Sequence, residues 1–72
     1  MRTIKIGKRY KHFKGTIYKV LCIAKDSETL AKKVVYTHND EIWVRDYDMF
    51  NSLVDKEKYP DEKAKYRFTE IK

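Results

Sequence analysis

The stretch "KVVYTHNDEIWVR" (residues 33–45) sets two β-branched and aromatic runs on either side of one polar pair, Asn39-Asp40. Such runs favour extended backbone, and a two-residue polar break between them reads as a hairpin turn. The chain is thereby committed to antiparallel β-structure. A longer run, "TIYKVLCIA" (16–24), alternates: Tyr18, Val20, Cys22 and Ala24 share one face, while Ile17, Lys19, Leu21 and Ile23 share the other. Before it, "KG" (Lys14, Gly15) is a turn in which glycine supplies positive φ, leading out of a short strand over 8–13. "YRFTEI" (66–71) reads as a closing strand.

Two segments between strands differ in kind. In "SETLAKK" (27–33) Ser27 is placed to cap a helical turn in which Glu28 faces Lys32, although the piece is too short to stand alone as a helix. "DYDMFNSLV" (46–54) predicts one turn of α- or 3₁₀-helix whose Met49 and Phe50 plug the core, with Leu53 adding an apolar contact. Residues 55–65 are charged, broken by Pro60 and nearly balanced in sign, which predicts an exposed loop with no assigned partner. The expected fold is mainly β: either a small SH3-like five-stranded barrel or a curled antiparallel sheet, with one short helical turn before the last strand. No repeat or Gly/Ser linker divides residues 1–72, so a single domain is expected.

At 72 residues the core is small and no disulfide can support it, because Cys22 is the only cysteine. With only His12 and His38 beside that thiol, neither a closed metal site nor a cofactor is expected. No apolar run approaches the roughly 20 residues that span a bilayer, and "MRTIKIGKRY" lacks the apolar region of a signal peptide. The expectation is a cytoplasmic protein with no membrane partner.

The net charge is +6, from 17 Lys and Arg against 11 Asp and Glu. It is concentrated in residues 1–24, which hold Arg2, Lys5, Lys8, Arg9, Lys11, Lys14 and Lys19 and no acid. Either this basic third suits an anionic partner such as nucleic acid, or it reflects a lysine-rich coding background, since 13 of the 17 bases are lysine.

Strong catalytic signals are absent: no Gly-rich phosphate loop, no HExxH and no paired-cysteine spacing. Cys22 falls on the expected core face, where a thiol is inert. His12 or Asp26 with Ser27 lacks an orienting third group, and side-chain turn chemistry accounts for those residues as well. A binding reading has more to work with. "KRYKHFKG" interleaves Tyr10, His12 and Phe13 with Lys8, Arg9, Lys11 and Lys14, the mixture by which bases stack while cations follow phosphates. Alternatively Tyr10 or Phe13 is core and the lysines are a solvated edge. In "WVR", Trp43 and Arg45 share a side opposite Ile42 and Val44. If the aliphatic pair faces inward, Trp43 is a platform beside a guanidinium; if not, Trp43 fills the core.

The ordered pieces "YKHFKG", "YKVLCIA", "SETL", "VVY", "WVR", "MF" and "YRF" span most of the chain, and together they resemble a family of short bacterial proteins catalogued as domain of unknown function sixteen fifty-three. The resemblance implies a β-rich, SH3-like domain without assigned activity. It also implies one shared site of His12, Ser27, Glu28, Thr29, Trp43 and Arg45, since these lie in the family's polar blocks. This chain departs from the family pattern by having Asp26 where His is usual and Asp46 where Pro is usual. A role needing imidazole at position 26 therefore does not transfer.

The expectation is a non-enzymatic binding module for an anionic ligand, nucleic acid above all. Lys8, Arg9, Lys11 and Lys14 would contact phosphate, Tyr10 and Trp43 would stack, and Arg45 with Glu28 would select. Two alternatives stand beside it: a module that binds a peptide or protein or pairs with a second copy of itself through an edge strand, and a small accessory protein of nucleotide metabolism using His12, Ser27 and Glu28.

Overall fold

The structure, a computed structural model, describes residues 2–72. Its elements are β1 (Arg9–His12), β2 (Ile17–Lys25), β3 (Lys32–His38), β4 (Glu41–Asp46), α1 (Tyr47–Phe50) and β5 (Phe68–Glu70). All five strands lie in one antiparallel sheet ordered β4-β3-β2-β1-β5. Consecutive hairpins lay down the first four strands, and β5 returns to β1, setting His12 opposite Phe68 and Tyr10 opposite Glu70.

The turns explain the order. His38 pairs with Glu41 across Asn39 and Asp40, whose φ values of 50° and 65° are both left-handed. That is a primed turn, which matches the twist of the strands it joins, and Asn and Asp tolerate it better than most side chains. Gly15, at φ 113°, serves the β1–β2 turn.

The sheet is open, with β4 and β5 as its edges, so the curled sheet rather than the closed barrel is the form adopted. Its curl follows from one distance. β3 and β5 are three strand spacings apart, about 14 Å in a flat sheet. Yet the rings of Tyr36 on β3 and Phe68 on β5 approach to 5.9 Å between centroids. The concave face so formed holds an aromatic core. Phe50 of α1 stacks on Phe68 at 4.0 Å and 6°, and receives Tyr10 and Tyr36 at 5.5 and 5.3 Å. Val20 and Val34 form the floor.

The N-terminal segment closes the core through paired polar groups. Tyr47 Oη accepts a hydrogen bond from Ile4 N and Tyr10 Oη one from Lys5 N, both at 2.9 Å. Asn51, the one buried polar side chain among the described residues, exchanges bonds with Arg2 through Nε and the backbone carbonyl. Arg2 also bonds Phe68 O and lies 3.9 Å from the Tyr66 ring, so this base is a structural clamp.

Three details correct the sequence reading. A β-bulge between Val20 and Cys22 sets two residues of β2 opposite Val35, and a one-residue insertion exchanges the faces of everything beyond it. Ile23 thus packs against the core and Cys22 is exposed, the reverse of the expected alternation. Second, residues 27–33 hold one turn and no helix: Leu30 N donates to Asp26 O at 2.8 Å, Asp26 rather than Ser27 caps the turn, its Oδ1 accepting the N–H groups of Glu28 and Thr29 at 2.9 and 3.0 Å, and Leu30 ends it at φ 63° with Lys32 already in β3. Those two N–H bonds hold the Asp26 carboxyl below the usual carboxylate range. Third, only Phe50 plugs the core; Met49, one position earlier on a single helical turn, faces outward. Among the described residues no helix is long and apolar enough to cross a membrane.

Candidate functional site

The turn "HFKG" is where chemistry collects. Pairing with Phe68 aims His12 at the concave face, its ring edge-on to Phe68 at 4.9 Å and tilted against Phe13 at 4.6 Å. Lys14 N donates to His12 Nδ1 at 3.1 Å, so the neutral imidazole carries its proton on Nε2. Protonation would spend the Nδ1 lone pair and lose that bond. Burial first, then the charges of Arg45, Arg67 and Lys14, lower the His12 pKa from its ordinary value.

Beside this turn, loop residues Asp55, Lys58 and Tyr59 complete a cleft of about 230 Å³ with His12, Phe13, Lys14 and Arg67. Backbone hydrogen bonding brings the pieces together, since Phe13 N donates to Arg67 O at 2.9 Å. Phe13 and Tyr59 meet edge to face at 5.0 Å, with Lys14 Nζ 5.3 Å and Lys58 Nζ 5.7 Å from the Tyr59 ring. The Lys14 ammonium beside it pulls the Tyr59 phenol pKa down. The cleft's one carboxylate, Asp55, accepts Glu57 N at 3.0 Å and Lys58 N at 3.4 Å in its own turn. Arg67 Nε is buried and has no hydrogen-bond partner among the described residues. Three permanent cations thus face one carboxylate already occupied by backbone, an arrangement that favours an incoming anion.

The concave face continues the site toward β4. Arg45 reaches across the curl to place its guanidinium 5.5 Å from the Phe68 ring, the ring that His12 also touches. Its Nε donates to Tyr36 Oη at 3.3 Å. Trp43, opposite Tyr36 in the β3–β4 ladder, shares this face and is 46 % exposed. Tyr18 and His38 pack at 5.4 Å along the same face. His38 Nδ1 lies 3.0 Å from Ile17 O, an acceptor only, so that nitrogen holds the proton.

The residues singled out from sequence therefore divide. His12, Lys14, Trp43 and Arg45 come together around the concave face and its cleft. Tyr10 does not join them: it is 1 % exposed and its hydroxyl is engaged by Lys5 N, so it is core and no stacking platform. Arg9 and Lys11 are exposed on the opposite face, beside Lys19 and Ile17, and Lys8 precedes β1. Ser27, Glu28 and Thr29 occupy the turn beyond the far end of β2. Nine residues of strand, about 25–30 Å, separate that turn from the His12 turn. The shared six-residue site and the His12–Ser27–Glu28 grouping are thus not assembled.

Lys58 and Tyr59 were not legible as site residues because the balanced charge of the loop hid them, and Arg67 because it lies in the segment read as the closing strand. A lone aromatic, Tyr59, in an otherwise charged segment was the available signal. Among the described residues no group of three or more His, Cys, Asp or Glu is placed to hold a metal ion.

Comparison with known proteins finds one family model, described as Protein of unknown function (DUF1653), matching residues 8–70. The match takes in all five strands and every residue of the cleft. No curated protein and no solved structure matches the chain.

Proposed function

Because the chain belongs to this family of unknown function, we propose a role from its own surface: a non-enzymatic cytoplasmic module that binds single-stranded nucleic acid. The observation that carries the reading is the convergence of Lys14, Lys58 and Arg67 on one cleft, with Arg67 Nε buried and unpartnered. A phosphate oxygen entering the cleft can meet the remaining N–H groups of the half-buried Arg67 guanidinium, and charge-assisted bonds of this kind are the strong ones. Half-exposed Trp43, with Arg45 alongside on the concave face, offers a base a stacking surface next to a cation. His12 sits between the two parts, touching Phe68 with Arg45 on one side and lining the cleft on the other.

The test is the anisotropy of fluorescein-labelled, mixed-sequence single-stranded DNA and RNA titrated with the protein at increasing salt. Contacts from Lys14, Lys58 and Arg67 predict a log-log slope of affinity against salt of about −2, at roughly 0.7 per phosphate. Lys58→Gln should make the slope shallower by about 0.7. No binding, or binding insensitive to salt, overturns the reading.

A further inference from the structure

β4 is an edge that lacks most of the usual protections. Natural edge strands are short, bulged, or carry proline or charges, lysine above all, to stop another strand from adding. β4 is six residues long, pairs with β3 in unbroken register and carries none of the chain's 13 lysines, and its own charges, Glu41, Arg45 and Asp46, are of both signs. Both its faces are open: Ile42 and Val44 are 69 % and 62 % exposed on the convex side, and Trp43 stands half-exposed on the concave side. β5, the other edge, is only three residues long.

Its hydrogen-bonding groups are equally available. In a two-residue hairpin the residues flanking the loop exchange hydrogen bonds, so Glu41, Trp43 and Arg45 address β3 while Ile42 and Val44 turn their N–H and C=O groups outward. The charges along the strand decide what can use them. Asp46 is held by Lys33, whereas Glu41 and Arg45, two residues either side of Trp43, have no ion-pair partner among the described residues, Arg45 making only its long Nε bond to Tyr36 Oη and its contact with the Phe68 ring.

We infer that the β4 edge pairs antiparallel with β4 of a second copy of this chain, Trp43 opposite Trp43, to make a continuous ten-stranded sheet. In that register Ile42 and the partner's Val44 exchange backbone hydrogen bonds twice over, and Glu41 lies opposite the partner's Arg45 twice over, on the same face as the tryptophans. Sliding the strands by two residues sets either Glu41 or Arg45 beside tryptophan and loses both ion pairs. The strand "EIWVR" is thus self-complementary in one register only. The match also joins two chains of net charge +6 without lysine meeting lysine along the strand, and Asp46, which falls opposite the partner's Asp40, already has its charge offset by Lys33. Two such edges bury less than about 1,200 Å², so association is weak, in the micromolar range.

The experiment is sedimentation velocity of the full chain from about 5 to about 500 µM, with amide exchange followed by NMR at both ends of the range. The expected result is a monomer–dimer equilibrium in which the amides of Ile42 and Val44 gain protection as dimer forms. Glu41→Arg sets like charges opposite each other twice and should weaken dimerisation about tenfold or more, while Glu41→Arg with Arg45→Glu restores it to within about threefold. Circular dichroism of each variant confirms the fold. A protein monomeric throughout overturns the inference and leaves the edge to an extended peptide of another chain. So does a dimer that Glu41→Arg leaves intact, which would lie on another surface.

Discussion

Arg67→Met separates binding from folding, because the account predicts that the two change in opposite directions. Methionine keeps an unbranched apolar stem but removes the guanidinium whose Nε is buried without a partner. An unsatisfied buried polar group costs about 1–3 kcal/mol. Allowing for lost contacts, the unliganded variant should be more stable by about 1 kcal/mol, a rise in Tm of about 4–8 °C for a domain of this size. In the liganded protein the other N–H groups of the guanidinium would donate a charge-assisted bond to phosphate, worth about 1.5–3 kcal/mol, so affinity should fall by about 10- to 150-fold. The assay is thermal unfolding with and without single-stranded oligonucleotide, beside the anisotropy titration. A variant less stable than the parent by more than about 1 kcal/mol would show that Arg67 supports the fold. Unchanged affinity would show that it does not meet the ligand.

Truncating Phe50, stacked in the centre of the core, should cost about 3–5 kcal/mol and bring so small a domain close to unfolding, whereas Met49→Ala should cost under about 1 kcal/mol; urea denaturation decides both. The bulge exposes Cys22, so it should react with a thiol reagent in the folded chain as readily as a free thiol, and Cys22→Ser should change stability by less than about 0.5 kcal/mol. Burial and the neighbouring cations lower the His12 pKa, so below about pH 6.5 the unfolded chain binds more protons than the folded one. The stabilising contribution is therefore complete above that pH and is lost as pH falls through the lowered value. His12→Gln should flatten this part of the stability profile. An anion in the cleft offsets the cationic repulsion, so affinity should rise over the same fall in pH.

What could be read in the sequence was what local physics decides. Asn39-Asp40 announces its hairpin because the left-handed turn is a property of those two residues, and Phe50 announces itself as core through its bulk. Cys22 and Ile23 were misplaced because the bulge before them is decided by packing against β3, which alternation along β2 does not record. Ser27, Glu28 and Thr29 resemble a site only by being adjacent; their backbone is organised by Asp26, and the fold carries them away from His12. The cleft was half legible. "HFKG" marks its near wall, while Lys58, Tyr59 and Arg67 lie more than forty residues further on and reach it through the return of the chain to β5. Trp43 fitted neither alternative, core or outward platform over an aliphatic interior, because an open edge strand leaves both of its faces to solvent.

The central claim is that an anionic strand lies across the cleft and the concave face. It is tested most directly by amide and side-chain NMR of the labelled protein with a short mixed-sequence single-stranded oligonucleotide at low and moderate salt. The account predicts saturable shifts at His12, Lys14, Lys58 and Arg67 together with the Trp43 indole, weakening as salt rises, and none at Ser27, Glu28 or Thr29. Shifts spread evenly over the lysines, including those on the opposite face, or no shifts at all, would contradict it.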